Sequence, residues 1–385
     1  EKESVKLNPA QDFNAGKMHY AVMVDNNKYI LSSDKNVVPF NAASEGGMLL
    51  VTTELDMFGF TAEGITKFLN DGYTETEYDV FSLIKSYIKR FIFLKQEETY
   101  SLLALWVIGT YLYRVFRYFP YIHLNAEKGS GKTMLMEVLA PLCFNGQISI
   151  NSTEAVLFRD IQNNSPTMFL DELEKMSKEE KEKYSGILSV LKTGFTKNGF
   201  VKRCDGKNKD KIRTFTTYSP KMLAGIKEID DVLADRTIRI KMYRKLNNEF
   251  FERYTETPEI AALQKDLRNS LYAFALKNAD EIYKLYNKPS FETELESILT
   301  NREQDIWLPI ITIAYFIDMK NHTELAKEMI EYSKYYLYDK KASDSSDNDT
   351  VKMLNVVNQF IQTYIPETIK DNVLYFKTET LFDYF

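Results

Sequence analysis

Residues 120–135 read PYIHLNAEKGSGKTML: a short apolar run that enters a glycine loop and leaves it as a helix. A phosphate group bound at such a loop needs backbone N–H groups converging on its oxygens at a helix N-terminus. It also needs glycines where the chain bends, a lysine for the outer phosphates and a hydroxyl for a divalent cation. Gly129, Gly131, Lys132 and Thr133 supply these, with Ala126, Glu127, Lys128, Ser130 and Met134 completing the stretch. The pattern GxxxxGK[ST] asks for glycine at 126, where this chain has alanine. The stretch is therefore read as a nucleotide-phosphate loop with a small-residue departure at its first position.

Downstream, residues 168–172 read MFLDE, an apolar strand ending in two acids. Asp171 at the strand's carboxyl end is placed to hold Mg²⁺ together with Thr133, and Glu172 to polarise an attacking water. Both acids could instead cap the next helix. No NKxD guanine-reading motif is present downstream, so ATP is the expected nucleotide.

Working outward, strands and helices alternate. PYIHLN, QISIN, TMFLDE and TIRIKMY read as strands, with helices expected over 132–142, 178–193 and the TEAVLFRDI segment. Alternation of this kind implies a parallel sheet covered on both faces. Helices are also expected over 80–93 and 101–116, and an α-only block over 259–286, 302–317 and 323–338. The N-terminal KMHYAVMV and KYILS form a hairpin around DNNK. KASDSSDNDT (341–350) reads as a polar linker, followed by a helix over 351–364, a strand VLYFK and the start of another helix. The expected division is a small mixed α/β N-terminal module (1–79), an α/β core (80–245), a helical lid (246–340), and a linker with part of a winged helix (341–385).

GFVKRC and KIRTFTTYS pair as strands around DGKNKDK. Eight basic residues lie between Lys192 and Arg213, against the acids Asp205 and Asp210, in a chain whose formal charge is −6. Lys202, Arg203, Lys207, Lys209 and Lys211 are the expected contacts to a phosphate backbone; a merely solvated hairpin is the alternative. The second strand runs on to Ser219, and Arg236 precedes TIRIKMY. A polar residue at the tip of a fourth strand and an arginine before a fifth is the layout of an additional-strand P-loop ATPase, AAA+. Ser219 would then sense the γ-phosphate, or else simply form a strand-end turn. Arg236 would complete a neighbouring subunit's site, or else pair with Asp230, Asp231 or Asp235.

The ordered run LLALWVIGTY, PYIHLNAEKGSGKT, PTMFLDELE, ILSVLKTGF, SPKMLAGI and LADRTIRI resembles the AAA+ MCM-like replicative helicases of staphylococcal cassette chromosomes and pathogenicity islands. REQDIWLPIITIA is similar to that group's lid, and the resemblance spans roughly residues 80 to 340. It implies a homo-oligomeric, hexameric ring that hydrolyses ATP with Mg²⁺ and moves along single-stranded and forked DNA. It carries Lys132 and Thr133 over as phosphate and Mg²⁺ ligands, Asp171 and Glu172 as the metal-holding and water-activating acids, Ser219 as first sensor and Arg236 as arginine finger. Arg302, opening the lid helix, is in place for a second sensor or is an ordinary surface arginine. The competing class is an AAA+ loader or transposition-type regulator that uses ATP to assemble without unwinding.

Composition agrees with a cytoplasmic enzyme. With 44% hydrophobic residues the chain can bury substantial cores. Its two cysteines, Cys143 and Cys204, and three histidines exclude a zinc-finger framework and fit a reducing compartment. The longest apolar run, Leu102 to Tyr113, is too short to span a bilayer. The charged start EKESVKLNPA does not read as a secretion signal, and an end inside an apolar pattern is expected for a piece of a longer protein.

Overall fold

In the computed structural model, the residues described are 6–45, 49, 59–126, 129–149, 154–171, 181–204, 212–225, 231–243, 252–289, 295, 297–346, 368–370 and 373–375. They divide into two compact units, 1–330 and 331–385.

The first unit opens with an antiparallel meander: β1 (Gln11–Asn14), β2 (Lys17–Val24), β3 (Asn27–Ser32) and β4 (Val37–Pro39), paired in that order. The β2–β3 turn places Asp25 and Asn26 at φ of 48° and 62°, the left-handed pair that a two-residue hairpin turn requires. Helices α1 (Phe40–Glu45) and α2 (Ala62–Leu69) come next. The meander is bonded into the rest of this unit. The Tyr20 hydroxyl donates to the Tyr111 carbonyl at 2.5 Å, and the Gln11 side-chain amide donates to the same oxygen. Tyr20 and Tyr111 both meet the ring of Tyr272 edge-on, at 4.9 and 5.0 Å. A tyrosine buried this way keeps its apolar body dry while its hydroxyl stays bonded.

Four helices form the central bundle: α3 (Glu77–Phe91), α4 (Glu97–Leu112), α9 (Pro258–Asn287) and α10 (Asn301–Asn321). Helix α4 is apolar all round, and every residue from Thr99 to Leu112 is buried. A helix with no polar stripe is stable only when wrapped on all sides, and α3, α9 and α10 pack against it. Each fully buried large apolar side chain contributes about 1.5–3 kcal/mol.

The parallel sheet predicted from alternation has five strands: β5 (Tyr121–Asn125), β6 (Gln147–Ser149), β7 (Met168–Leu170), β10 (Lys221–Gly225) and β11 (Thr237–Lys241). Their order is β11-β5-β10-β7-β6, and every pairing is parallel. Connecting them are α5 (Lys132–Leu139), α6 (Glu154–Asn164), α7 (Lys181–Thr193) and the short α8 (Asp231–Ala234). One face of the sheet is apolar, with Phe169, Met222, Ile122 and Ile238 in a single row. Trp106 of α4 meets Phe169 edge-on there and donates its indole N–H to the Pro120 carbonyl at 2.9 Å. The other face, where Tyr121 bonds the Leu191 carbonyl of α7, carries Lys221, His123 and Arg239.

A two-stranded hairpin, β8 (Phe200–Cys204) with β9 (Ile212–Thr216), is inserted between α7 and β10. Here the expectation needs correction. The strand expected to end at Ser219 is the hairpin's second strand and not a core strand. The core strand is KMLAG, which starts two residues later.

Helix α11 (Leu325–Ser346) continues through KASDSS, six residues of the segment expected to be a linker. In the second unit β12 (Thr368–Lys370) and β13 (Val373–Tyr375) pair antiparallel. The helix expected over 351–364 lies outside the described residues. Among the described residues, no helix is long and apolar enough to cross a membrane.

Candidate nucleotide site

In a parallel sheet all strands end on the same edge, and a site for a ligand forms outside those carboxyl ends. Asn125 of β5 aligns with Gly225 of β10 and Lys241 of β11, while Leu170 of β7 aligns with Leu223. The glycine loop therefore leaves the sheet on the same edge as the residue just after β7, Asp171, with β10 between the two strands.

Gly129 and Gly131 have φ of 82° and 90°, left-handed values that a side chain would strain. Gly131 is the N-cap of α5 and offers no side chain to cap it. The first turn of a helix lacks intrahelical acceptors for its N–H groups, so this geometry suits an oxygen-rich anion at the head of α5. The Lys132 ammonium donates to the Ala126 carbonyl, folding across the loop. The Thr133 hydroxyl donates to the Asp171 carboxylate at 2.7 Å.

Lys132, Thr133 and Asp171 are thus brought together from separate places in the sequence. Thr133 and Asp171 offer hard oxygen donors, and Mg²⁺ typically takes only one or two such protein ligands alongside phosphate oxygens and water. The two residues fit the cation. Ser130 and Met134 flank the loop's bend as expected. Glu127, Lys128 and Glu172 lie outside the described residues.

No sequence motif points to His123, in the middle of β5. It is 1% exposed, and among the described residues its Nε2 has no hydrogen-bond partner. Burial, with Arg239 and Lys132 adding to it, brings its pKa down to about 4, so the ring is neutral near pH 7.

Two expected nucleotide residues lie elsewhere. Ser219 precedes β10, at the sheet's amino edge, away from the glycine loop. It is buried, and its Oγ accepts from Lys221 Nζ at 3.1 Å. A strand runs about 3.3 Å per residue, so the length of β10 separates Ser219 from the carboxyl edge, and it does not sense a phosphate bound there. The residues after Gly225, where that edge lies, are 226–230, outside the described residues.

Arg302 lies away from the glycine loop as well. Its guanidinium lies 5.8 Å over the ring of Phe195 and pairs with Asp305 at 3.5 Å. Phe195 stacks on Tyr118 and meets Tyr121, at the start of β5. The opening of α10 thus sits at the amino edge, and Arg302 does not join its own chain's loop. Arg236 is on this edge too: its carbonyl accepts from Tyr121 N at 3.0 Å, and its guanidinium donates to the Val232 carbonyl.

Lys221 is likewise hidden in the sequence. Fully buried, its ammonium donates to the carbonyls of Thr217 and Ser219 at 3.0 and 2.9 Å and lies 4.9 Å from the Tyr121 ring centroid. Burial, with Arg114 adding to it, holds its pKa well below a lysine's usual range.

The basic hairpin forms as expected, with Lys202 and Arg203 exposed. Arg203 stands directly opposite Arg213 in the β8–β9 register. Lys207, Lys209 and Lys211 lie outside the described residues. Lys197, one of the eight basic residues of this stretch, turns inward instead: its ammonium donates to the Arg114 carbonyl at 2.6 Å.

No family model and no curated protein matches the chain. Among solved structures it is similar to one described as the active helicase Cch of SCCmec type IV, at 12% identity and a TM-score of 0.38, over 96% of this chain and 80% of that one. It is similar to a full-length MCM homologue from Methanopyrus kandleri, at 11% identity and a TM-score of 0.42, over 85% of this chain and 76% of that one. It is also similar to the JCV helicase, at 14% identity and a TM-score of 0.30, over 67% of this chain and 71% of that one. Likenesses this shallow carry no argument of their own. What the chain has by its own geometry is a mixed α/β fold on a five-stranded parallel sheet, with a lysine, a hydroxyl and a carboxylate gathered at its carboxyl edge.

Proposed function

We propose that this chain is the ATP-hydrolysing subunit of a ring, hexameric by resemblance, that translocates on and unwinds DNA. The resemblance adds the context, replication of a mobile genetic element. The observation that carries the reading is the 2.7 Å bond from Thr133 to Asp171 beside Lys132, at the carboxyl ends of two strands separated by β10. A glycine turn alone needs no acid from another strand.

In this reading the backbone of 126–134 cradles the phosphates of ATP, and Lys132 leaves the Ala126 carbonyl for the outer phosphate oxygens. Thr133 and Asp171 hold Mg²⁺, which when bound offsets charge on the phosphoryl oxygens. Glu172 orients the attacking water and accepts its proton. Arg236 and Arg302 sit on the edge away from their own loop, so any action on nucleotide is on a neighbour's, and the site is completed only by assembly.

The hairpin is the DNA contact. Its stretch is rich in lysine and arginine in a chain whose formal charge is −6, and Lys202 of β8 is exposed.

The test is Mg²⁺-dependent ATP hydrolysis by the wild-type chain, Lys132→Ala and Glu172→Gln. Lys132→Ala should lose nucleotide binding, and Glu172→Gln should bind ATP without turning it over. Wild-type turnover in both variants would remove the assignment.

A further inference from the structure

The β8–β9 hairpin has two unlike faces. Strand alternation puts Val201 and Arg203 on one, with Phe215 and Arg213 opposite them. This face packs on α6: Phe215 stacks on Phe158 at 6.1 Å, and the Arg203 guanidinium lies 4.9 Å over the same ring. The other face carries Phe200, Lys202 and Cys204, with Thr216, Thr214 and Ile212 opposite. Phe200 is 51% exposed there and Ile212 64%. The Lys202 ammonium stands 5.8 Å from the Phe200 ring centroid, so an exposed aromatic surface and a cation are already side by side. The hairpin's root is fixed beneath them, with Gly199 N bonded to Thr196 O and Thr217 N to Gly199 O.

We infer that this face is a base-stacking subsite for single-stranded DNA, with Phe200 as the platform and Lys202 as the contact to the adjoining phosphate. The inference rests on the DNA-translocase reading above and deepens it. Charge complementarity selects the occupant. A second copy's hairpin would bring the same excess of lysine and arginine against Lys202. Duplex DNA offers phosphates but keeps its base faces stacked within the helix. A single strand offers both a free π-face and a phosphate, the pairing by which single-strand grooves work. An apolar protein segment would cover Phe200 only by stripping water from Lys202 without giving it an anion.

The experiment measures binding of the 385-residue chain to a labelled oligothymidylate and to a duplex of equal length, over a range of salt concentrations. Base–aromatic stacking is worth enough that Phe200→Ala should weaken single-strand binding by roughly 5- to 150-fold. Duplex affinity and the slope of log affinity against log salt should stay unchanged. Lys202→Ala should flatten that slope by about 0.7, the single-strand value for one phosphate. Phe200→Trp should retain affinity, and its fluorescence should be quenched by the oligonucleotide. Equal losses on both DNA forms, no loss on either, or an unquenched tryptophan would overturn the inference. A Phe200→Ala chain that falls out of its assembly would also overturn it, by making this face a subunit contact. Wild-type protein that binds neither DNA form would instead overturn the translocase reading beneath it.

Discussion

His123 should make the fold sensitive to mild acid. In the unfolded chain the imidazole takes a proton near its ordinary pKa of 6.5, whereas in the native chain it resists until about pH 4. A group whose native pKa is lowered binds more protons when unfolded, so stability falls as pH drops through the window between the two values. The cause is geometric: the ring is 1% exposed on β5, and Arg239 and Lys132 both oppose a second positive charge. From pH 7 to pH 5 the shift costs about 2 kcal/mol of native stability, at 1.36 kcal/mol per pKa unit. The assay is urea unfolding followed by tryptophan fluorescence, since both tryptophans, Trp106 and Trp307, are fully buried. The comparison is with His123→Gln, which does not titrate. His19, also shifted down by burial, is common to both chains and cancels. Wild type should lose about 2 kcal/mol more than the variant between pH 7 and pH 5. Parallel pH profiles would mean that His123 is protonated alike in the native and unfolded states, and would exclude it as the source of the acid sensitivity.

Gly131→Ala tests the loop's left-handed bend. Among the described residues, a Cβ there would meet only Met242 Cε at 3.8 Å, so the cost is conformational, about 1–2 kcal/mol in the unfolding transition, with weakened ATP binding. Removing Lys207, Lys209 and Lys211 together should flatten the salt dependence of DNA affinity by roughly two to three units, at about 0.7–0.9 per phosphate, while ATP hydrolysis without DNA survives. Arg236→Ala should bind ATP but hydrolyse it on the order of 10³-fold more slowly. Mixed with Lys132→Ala under subunit exchange, it should recover part of the activity; full activity of Arg236→Ala alone would exclude Arg236 from the chemistry.

What is legible in the sequence is what is local. Gly129 to Thr133 announce their loop because left-handed glycines and a helix start leave a pattern within a few residues, and MFLDE announces a strand ending in acids. The Asp25-Asn26 turn is legible for the same reason. What is hidden depends on which strand enters the sheet. KIRTFTTYS and KMLAG lie close together in the chain, and only the second pairs with β5 and β7. Reading the first as the core strand carries Ser219 to the wrong edge. The signal that could have found the core strand is a short apolar run directly after Pro220, which its leading lysine conceals. That lysine, Lys221, lies inside, bonded to three oxygens. The edge that Arg302 occupies is hidden for a related reason: opening a helix after the core says nothing of the edge on which that helix begins. Nor does the alternation of residues 17–32 reveal that Tyr20 reaches Tyr111, since a contact between distant segments leaves no trace in either one's period.

If hydrolysis at Lys132, Thr133 and Asp171 drives strand separation, a fork should open only when that site turns over. Release of a labelled strand from forked DNA by the assembled chain, with ATP and Mg²⁺, is measured for wild type beside Lys132→Ala. Wild type should release the strand in an ATP-dependent way, and Lys132→Ala should release none. Robust ATP hydrolysis by wild type that leaves the fork intact would rule out unwinding and make the chain an ATP-driven loader instead.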